Sequence, residues 1–266
     1  MRAERPLLVA MDLDGTLLRS DTTISPRTAA ALDRVEKAGS RFVFVTGRPP
    51  RFVTMPLQPF GYQGEVICAN GAVTYDLATA SVTNLRLIPA AALADAATRL
   101  RQAIPGLGIA VEYPGGQVRD ERYELGPWHT PQSMPWVPDE ELFAGDALKL
   151  LGRHPTLPGD ELLALAAPVA GDVVTLYYSG GVRLVEATAL GVSKGSALAG
   201  LAGRLGLDAA DVVAFGDMPN DLSMLAWAGT SYGVANAHPD VLAMVDHVIP
   251  GNDDDGVATV LEKLFP

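Results

Sequence analysis

The sequence predicts a doubly wound parallel α/β sheet interrupted by an α+β insertion, and three observations carry that reading. Short apolar runs alternate with helical patterns at both ends of the chain, as expected for strands paired in parallel through helical crossovers. The runs stop at small polar residues beside glycine: Asp12-Leu13-Asp14-Gly15, Thr46-Gly47, Asn70-Gly71 and Gly216-Asp217. Between them the pattern changes to helix, paired strands, helix, paired strands, joined by Gly-rich turns, which implies antiparallel pairing.

Residues 7–11 are continuously apolar, as a parallel strand covered on both faces requires. A helix over residues 25–38 is marked by Ser25 as N-cap, Pro26 at the first helical position and Gly39 just past the end, each in its favoured place. Strands follow at 41–45 and 65–69. An Ala/Leu helix over 89–104 is stopped by Pro105-Gly106, and 109–113 with 117–123 flank Pro114-Gly115-Gly116 as a hairpin. Residues 126–138, rich in Pro and Trp, read as loop. A strand at 147–151, a helix at 160–169 and a second hairpin, 173–178 with 182–186, complete the insertion. Alternation then resumes: helix 193–205, strand 211–216, helix 220–228, strand 231–235, helix 239–245, strand 248–249 and a closing helix 256–265. The predicted division is 1–83 with 188–266 for the doubly wound part and 84–187 for the insertion.

With 266 residues the chain is long enough for one large or two modest domains. Twenty Lys+Arg against 31 Asp+Glu leave a net charge of −11, a surface that repels nucleic acid and anionic membranes. No stretch approaches a bilayer span, and no leader pattern precedes Asp12. The single cysteine, Cys68, excludes an internal disulfide and sits in an apolar run. The expected setting is a reducing, cytoplasmic one, and the expected state a monomer or homodimer.

Two acids two residues apart at the carboxyl end of a buried strand stand where open α/β sheets bind ligands. Asp12 and Asp14 at i and i+2 can face the same side and share a cation or divide nucleophilic and acid/base work. The plain alternative is a turn in which Gly15 supplies positive φ. An EF-hand loop counted from Asp12 would need Gly at position 6 and Glu at position 12, but Leu17 and Thr23 stand there, so that reading fails. Lys194 opens a helix, where backbone N–H groups favour an anion; alone it reads as a surface lysine. Asp217-Met218-Pro219-Asn220-Asp221 alone reads as a turn and helix cap. Arg119, Arg122, Lys149 and Arg183 read as solvated charges of the insertion, and Trp128 and Trp136 as covers over its core. Asp253-Asp254-Asp255 reads as an acidic helix N-terminus.

Together, Asp12-Leu13-Asp14-Gly15-Thr16, Thr46-Gly47-Arg48, Lys194 and Gly216-Asp217 with Asn220-Asp221 resemble the four motifs of the haloacid dehalogenase-like phosphohydrolases, in the family's order. Asn70-Gly71-Ala72, Gly191-Val192-Ser193-Lys194-Gly195 and Asn236-Ala237 resemble its Cof-type subgroup, and the insertion resembles that subgroup's type IIB cap. The resemblance implies a Rossmann-like core and a cap that sets specificity and closes over the site. It also implies a Mg²⁺-dependent phosphatase of small phosphorylated metabolites, sugar phosphates foremost. Asp12 would be nucleophile and metal ligand, and Asp14 acid/base and carbonyl ligand. Asp217 and Asp221 would hold metal; Thr46, Lys194 and Asn220 would hold the phosphoryl group, with Asn70 at its edge. Asn220 and Asp221 could each equally complete the metal shell or the phosphate shell, or orient Lys194. The residues leave open a phosphomutase with the same nucleophile, or a phosphometabolite-binding regulator without turnover.

Overall fold

The apolar run after Pro6 forms β1 (Leu8–Met11), whose four residues are all buried. It is followed by α1 (Pro26–Lys37), β2 (Arg41–Val45), a single turn α2 (Thr54–Leu57), β3 (Glu65–Cys68), β4 (Val73–Asp76) and β5 (Ser81–Leu85). Ser25 caps α1 by accepting from the Thr28 N–H, as its place before Pro26 predicts. The insertion carries α3 (Ala90–Ala103), β6 (Gly108–Tyr113), β7 (Gly116–Arg119), α4 (Asp139–Leu142), β8 (Lys149–Arg153), α5 (Gly159–Ala170), β9 (Val174–Tyr177) and β10 (Leu184–Ala189). The chain ends with α6 (Lys194–Arg204), β11 (Val212–Gly216), α7 (Leu222–Trp227), β12 (Thr230–Val234), α8 (Pro239–Leu242), β13 (His247–Ile249) and α9 (Gly256–Leu264). This computed structural model describes residues 6–126, 129–180 and 183–266.

The chain divides into two units, Met1–Asn84 with Ser193–Pro266, and Leu85–Val192. The second crossing falls after the turn at Gly191, five residues beyond 187. In the first unit the strand order is β13-β12-β11-β1-β2-β3-β4-β5. Pairing is parallel from β13 to β3 and antiparallel between β3 and β4. The chain leaves β1 toward β2 in one direction and β11 toward β12 in the other. With right-handed crossovers, that reversal puts helices on both faces and opens a crevice at the carboxyl ends of β1 and β11. The β4–β5 hairpin is absent from the sequence-based expectation. Its β5 strand is mostly exposed and so lacks the alternation that marks a half-buried strand.

The second unit is a five-stranded antiparallel sheet, β7-β6-β8-β10-β9. Ile109, Val111, Leu150, Val185 and Ala187 on one face pack against Leu93, Ala97 and Leu100 of α3 and Leu162 and Ala166 of α5. The other face carries a smaller apolar cluster of Ala110, Leu151 and Leu184 with Tyr123 and Met134. Two expectations fail here. Lys149 is not solvated: its side chain is buried and paired with Glu186 at 2.8 Å, because its register position on β8 turns it onto the sheet. Trp136 does not cover the core; it is 55% exposed, held in line beside Arg119 by backbone bridging. Trp128 lies outside the described residues.

Candidate active site

The crevice at the ends of β1 and β11 gathers side chains far apart in sequence. Asp12 follows β1 directly, and its N–H donates to the Phe215 carbonyl of β11. Asp217 follows β11. Asp12 and Asp217 are 5% exposed, Asp221 and Lys194 no more than 1%. The Lys194 Nζ donates to Asp12 Oδ1 at 2.7 Å and to Asp221 Oδ1 at 2.6 Å. Lys194 is the first helical residue of α6, behind Ser193 in a capping box with Ser196. A cation at that end of a helix is locally unfavourable, so the two carboxylates hold it there. Two of its three donors are thus used, leaving one for a ligand.

Asp221 also acts as a local brace: its Oδ2 accepts from the backbone N–H groups of Asp217 and Met218 at 3.1 and 3.0 Å. The Thr16 hydroxyl donates to Asp217 Oδ1 at 2.8 Å. Gly15 makes this approach possible. Its φ is +77°, and a Cβ there would stand 2.3 Å from Asp217 Oδ2, so both the turn and the contact require glycine. The turn reading of Gly15 is therefore true, and the turn serves the cluster.

Asp14 departs from the expected arrangement. The strand ends at Met11, so two-residue alternation no longer governs the next residues, and the two carboxylates do not share partners. Asp14 is half-exposed and takes a two-pronged grip from Arg48, with Arg48 Nε donating at 2.7 Å. The Asp14 bond lifts the Arg48 guanidinium further above its usual pKa. Arg48 had no role in the sequence-based expectation, although a cation two residues past a strand-ending Thr was the available signal. The motif pattern likewise assigns no role to Thr16, whose hydroxyl holds Asp217. Thr46 is buried, its hydroxyl accepting from the Arg48 N–H at 3.1 Å. Asn70, fully buried, accepts from Asn220 Nδ2 at 3.0 Å.

Asp12, Asp217 and Asp221 each offer a carboxylate oxygen, and these oxygens lie within 4.8 Å of one another. Three buried acids face one lysine. Burial pushes the Asp12 carboxyl well above its usual range, Lys194 pulls it back, and Asp221 and Asp217 raise it again. Burial and Asp221 push Asp217 up to about 7, against Thr16 and Lys194. Burial would lower Lys194, but Asp12 and Asp221 more than offset it and hold its pKa above the usual value. The all-oxygen, anionic donor set fits a hard divalent cation, which would neutralise the remaining charge. The buried Asn220 Oδ1, which has no hydrogen-bond partner among the described residues, fits the same conclusion, since a buried acceptor is normally satisfied.

A pH dependence follows. Asp217 titrates near 4 in an unfolded chain and near 7 here. Its folded pKa is raised, so its contribution to folding is complete below about pH 4 and lost as pH rises through 7, by about 4 kcal/mol. Without divalent cation, the melting temperature should therefore fall between pH 5 and pH 8. Added Mg²⁺, which binds the ionised acids, should raise it more at pH 8 than at pH 5. Equal Mg²⁺ shifts at both pH values, read by differential scanning fluorimetry, would contradict this account of the cluster.

The sequence profile of the haloacid dehalogenase-like hydrolases matches residues 9–112 and 160–261, spanning every residue of the cluster. The chain belongs to this family. It is 29% identical to the pyridoxal phosphate phosphatase YbhA of Escherichia coli, over 94% of this chain and 96% of that one. It is 26% identical to the 5-amino-6-(5-phospho-D-ribitylamino)uracil phosphatase YitU of Bacillus subtilis, over 98% of both. It shares its fold with BT4131, described as a subclass IIB sugar phosphatase, at a TM-score of 0.82 and 21% identity over 96% of this chain and 98% of that one. This haloacid dehalogenase-like hydrolase is of the Cof type and is a phosphatase. Its relatives act on small phosphorylated metabolites. No helix among its described residues is long and apolar enough to cross a membrane.

Proposed function

We propose that the protein hydrolyses small phosphorylated metabolites, sugar phosphates foremost, with Mg²⁺ and through a phosphoryl group carried on Asp12. The observation behind this reading is the convergence of Asp12, Lys194, Asp217 and Asp221 at one sheet edge. The phosphatase names of the relatives support the substrate class.

Asp12, Asp217 and Asp221, with the Asp14 carbonyl, would hold Mg²⁺. Bound there, Mg²⁺ supplies positive charge that lets an anionic carboxylate approach an anionic ester. Lys194 would place its third N–H on a phosphoryl oxygen, and the buried Thr46 hydroxyl would take another. An Asp12 carboxylate oxygen attacks phosphorus, forming the Asp12 O–P bond as the ester P–O bond breaks. Asp14, released from the Arg48 ion pair and in its protonated form, would give that proton to the leaving oxygen. Water then attacks the same phosphorus, Asp14 takes the water proton, the Asp12 O–P bond breaks, inorganic phosphate leaves and the Asp12 carboxylate is restored. No outside oxidant or acceptor is needed.

The test is a phosphate-release screen over phosphorylated metabolites with Mg²⁺, beside an EDTA control. Steady Mg²⁺-dependent release, without any bisphosphate activator, is expected. Turnover in EDTA equal to that in Mg²⁺ would remove the metal role, and release only with a bisphosphate activator would favour a mutase.

A further inference from the structure

The turn after Asp12 is anchored from outside the acid cluster. The Gly15 carbonyl accepts from Asn236 Nδ2 at 2.8 Å. Two residues beyond Asn236, the His238 N–H donates to the Asp217 carbonyl at 2.7 Å. Asn236-Ala237-His238 follows β12, and the Ala237 N–H closes a turn on the Val234 carbonyl at 2.9 Å. One short segment therefore grips both acid-bearing loops, the one that ends β1 and the one that ends β11. The Asn236 amide has a single workable orientation. Its Oδ1 accepts from the Asn252 N–H at 3.0 Å. A backbone N–H only donates and a carbonyl only accepts, so Nδ2 must face Gly15.

Gly15, at φ +77°, has the widest backbone freedom of any residue type. A peptide unit is a rigid plane, so holding the Gly15 carbonyl fixes the whole Gly15–Thr16 peptide. From that plane Thr16 extends its hydroxyl to Asp217 Oδ1 at 2.8 Å, and Asp217 is one of the three acids whose oxygens converge. Asn236 itself is exposed, and a single exposed hydrogen bond contributes little to folding. Metal sites respond more sharply, because the groups behind the ligands set the ligands' orientation.

We propose that Asn236 is a positioning residue for the cation site. It locks the Gly15–Thr16 peptide, and through the Thr16 hydroxyl it holds the Asp217 carboxylate where a divalent cation can bridge it to Asp12. Asn236 touches neither cation nor substrate. The inference deepens the proposed phosphatase reading and rests on it for the cation.

The test is calorimetry of Mg²⁺ binding to the full chain carrying Asn236→Ala, Thr16→Val, both, or Ser20→Ala. Ser20→Ala removes a comparable bond further along the same loop, from the Ser20 hydroxyl to Asp253 at 2.6 Å. Asn236→Ala and Thr16→Val should each weaken Mg²⁺ binding roughly tenfold, the low end for loss of an outer-shell partner, and Ser20→Ala should leave it unchanged. The double variant should bind no more weakly than Thr16→Val alone, because Asn236 acts through Thr16. In EDTA, Asn236→Ala and Ser20→Ala should both melt within about 4 °C of wild type. Wild-type Mg²⁺ affinity in Asn236→Ala, or additive losses in the double variant, would overturn the proposal. Equal weakening in Ser20→Ala would overturn it too, since a merely structural role of the loop contacts predicts that result. Should Thr16→Val fail to fold, the contrast between Asn236→Ala and Ser20→Ala decides by itself. Mg²⁺ binding needs no turnover, so the expected calorimetry from a protein that hydrolyses nothing would sink only the phosphatase reading. A working phosphatase whose Asn236→Ala variant binds Mg²⁺ as wild type does would sink only this proposal.

Discussion

The Asp12→Asn variant is expected to release phosphate at least about a thousandfold more slowly than wild type, a loss of at least about 4 kcal/mol in transition-state stabilisation. The amide keeps the shape of the side chain but cannot form the acyl–phosphate bond at a useful rate. The fold should survive. Burial already pushes the Asp12 carboxyl toward its neutral form, so a neutral amide relieves repulsion from Asp217 and Asp221 while leaving an oxygen for Lys194. Without Mg²⁺ the variant should melt within about 4 °C of wild type. Phosphate release near the wild-type rate, in a folded variant, would remove Asp12 as the nucleophile.

Lys194→Met should carry the largest stability effect. The lysine is 1% exposed and bonded to two carboxylates. Its removal leaves three buried acids without a counter-charge, and breaking a buried pair from one side typically costs about 3–5 kcal/mol. That cost should be greatest at pH 8 without cation and smaller at pH 5, because Asp12 and Asp217 take up protons more readily than ordinary carboxyls. Mg²⁺ should recover part of it. Activity should fall by at least about a hundredfold through loss of a positioned cation at the transferring group. Urea titrations at the two pH values check the first statement and phosphate release the second. An unchanged midpoint at pH 8 would mean that the acids do not depend on this lysine.

Much of the site was legible because its residues stand where the chain pattern changes. Asp12 ends an apolar run, Asp217 ends another, and Lys194 opens a capped helix; their order matches a known set of motifs. The parallel core was equally legible, since strands buried on both faces leave continuous apolar runs. What escaped depended on register and on approach across the fold. The Arg48 grip on Asp14 joins residues 34 positions apart, and the Asn220–Asn70 bond joins residues 150 apart. Neither is encoded in local spacing. The burial of Lys149 follows from which face of β8 it occupies, and charge alone suggested the opposite. The β5 strand escaped because exposure erased the hydrophobic alternation that would have marked it.

The position of β1 between β2 and β11 also constrains how the protein comes to be active. One neighbour, β2, follows within a few tens of residues, but the other pairs Leu8 with Val212. Such a long-range closure is slow relative to local contacts, because the intervening chain must be ordered before the pairing repays it. Asp12 precedes Lys194 and Asp217 in the chain, and the compact unit Leu85–Val192 lies between them in sequence. During synthesis the acid cluster therefore has no assembled shape until Asp221 has emerged, by which point its counter-charge, Lys194, is already in the chain. The candidate site therefore depends on a pairing between strands about two hundred residues apart.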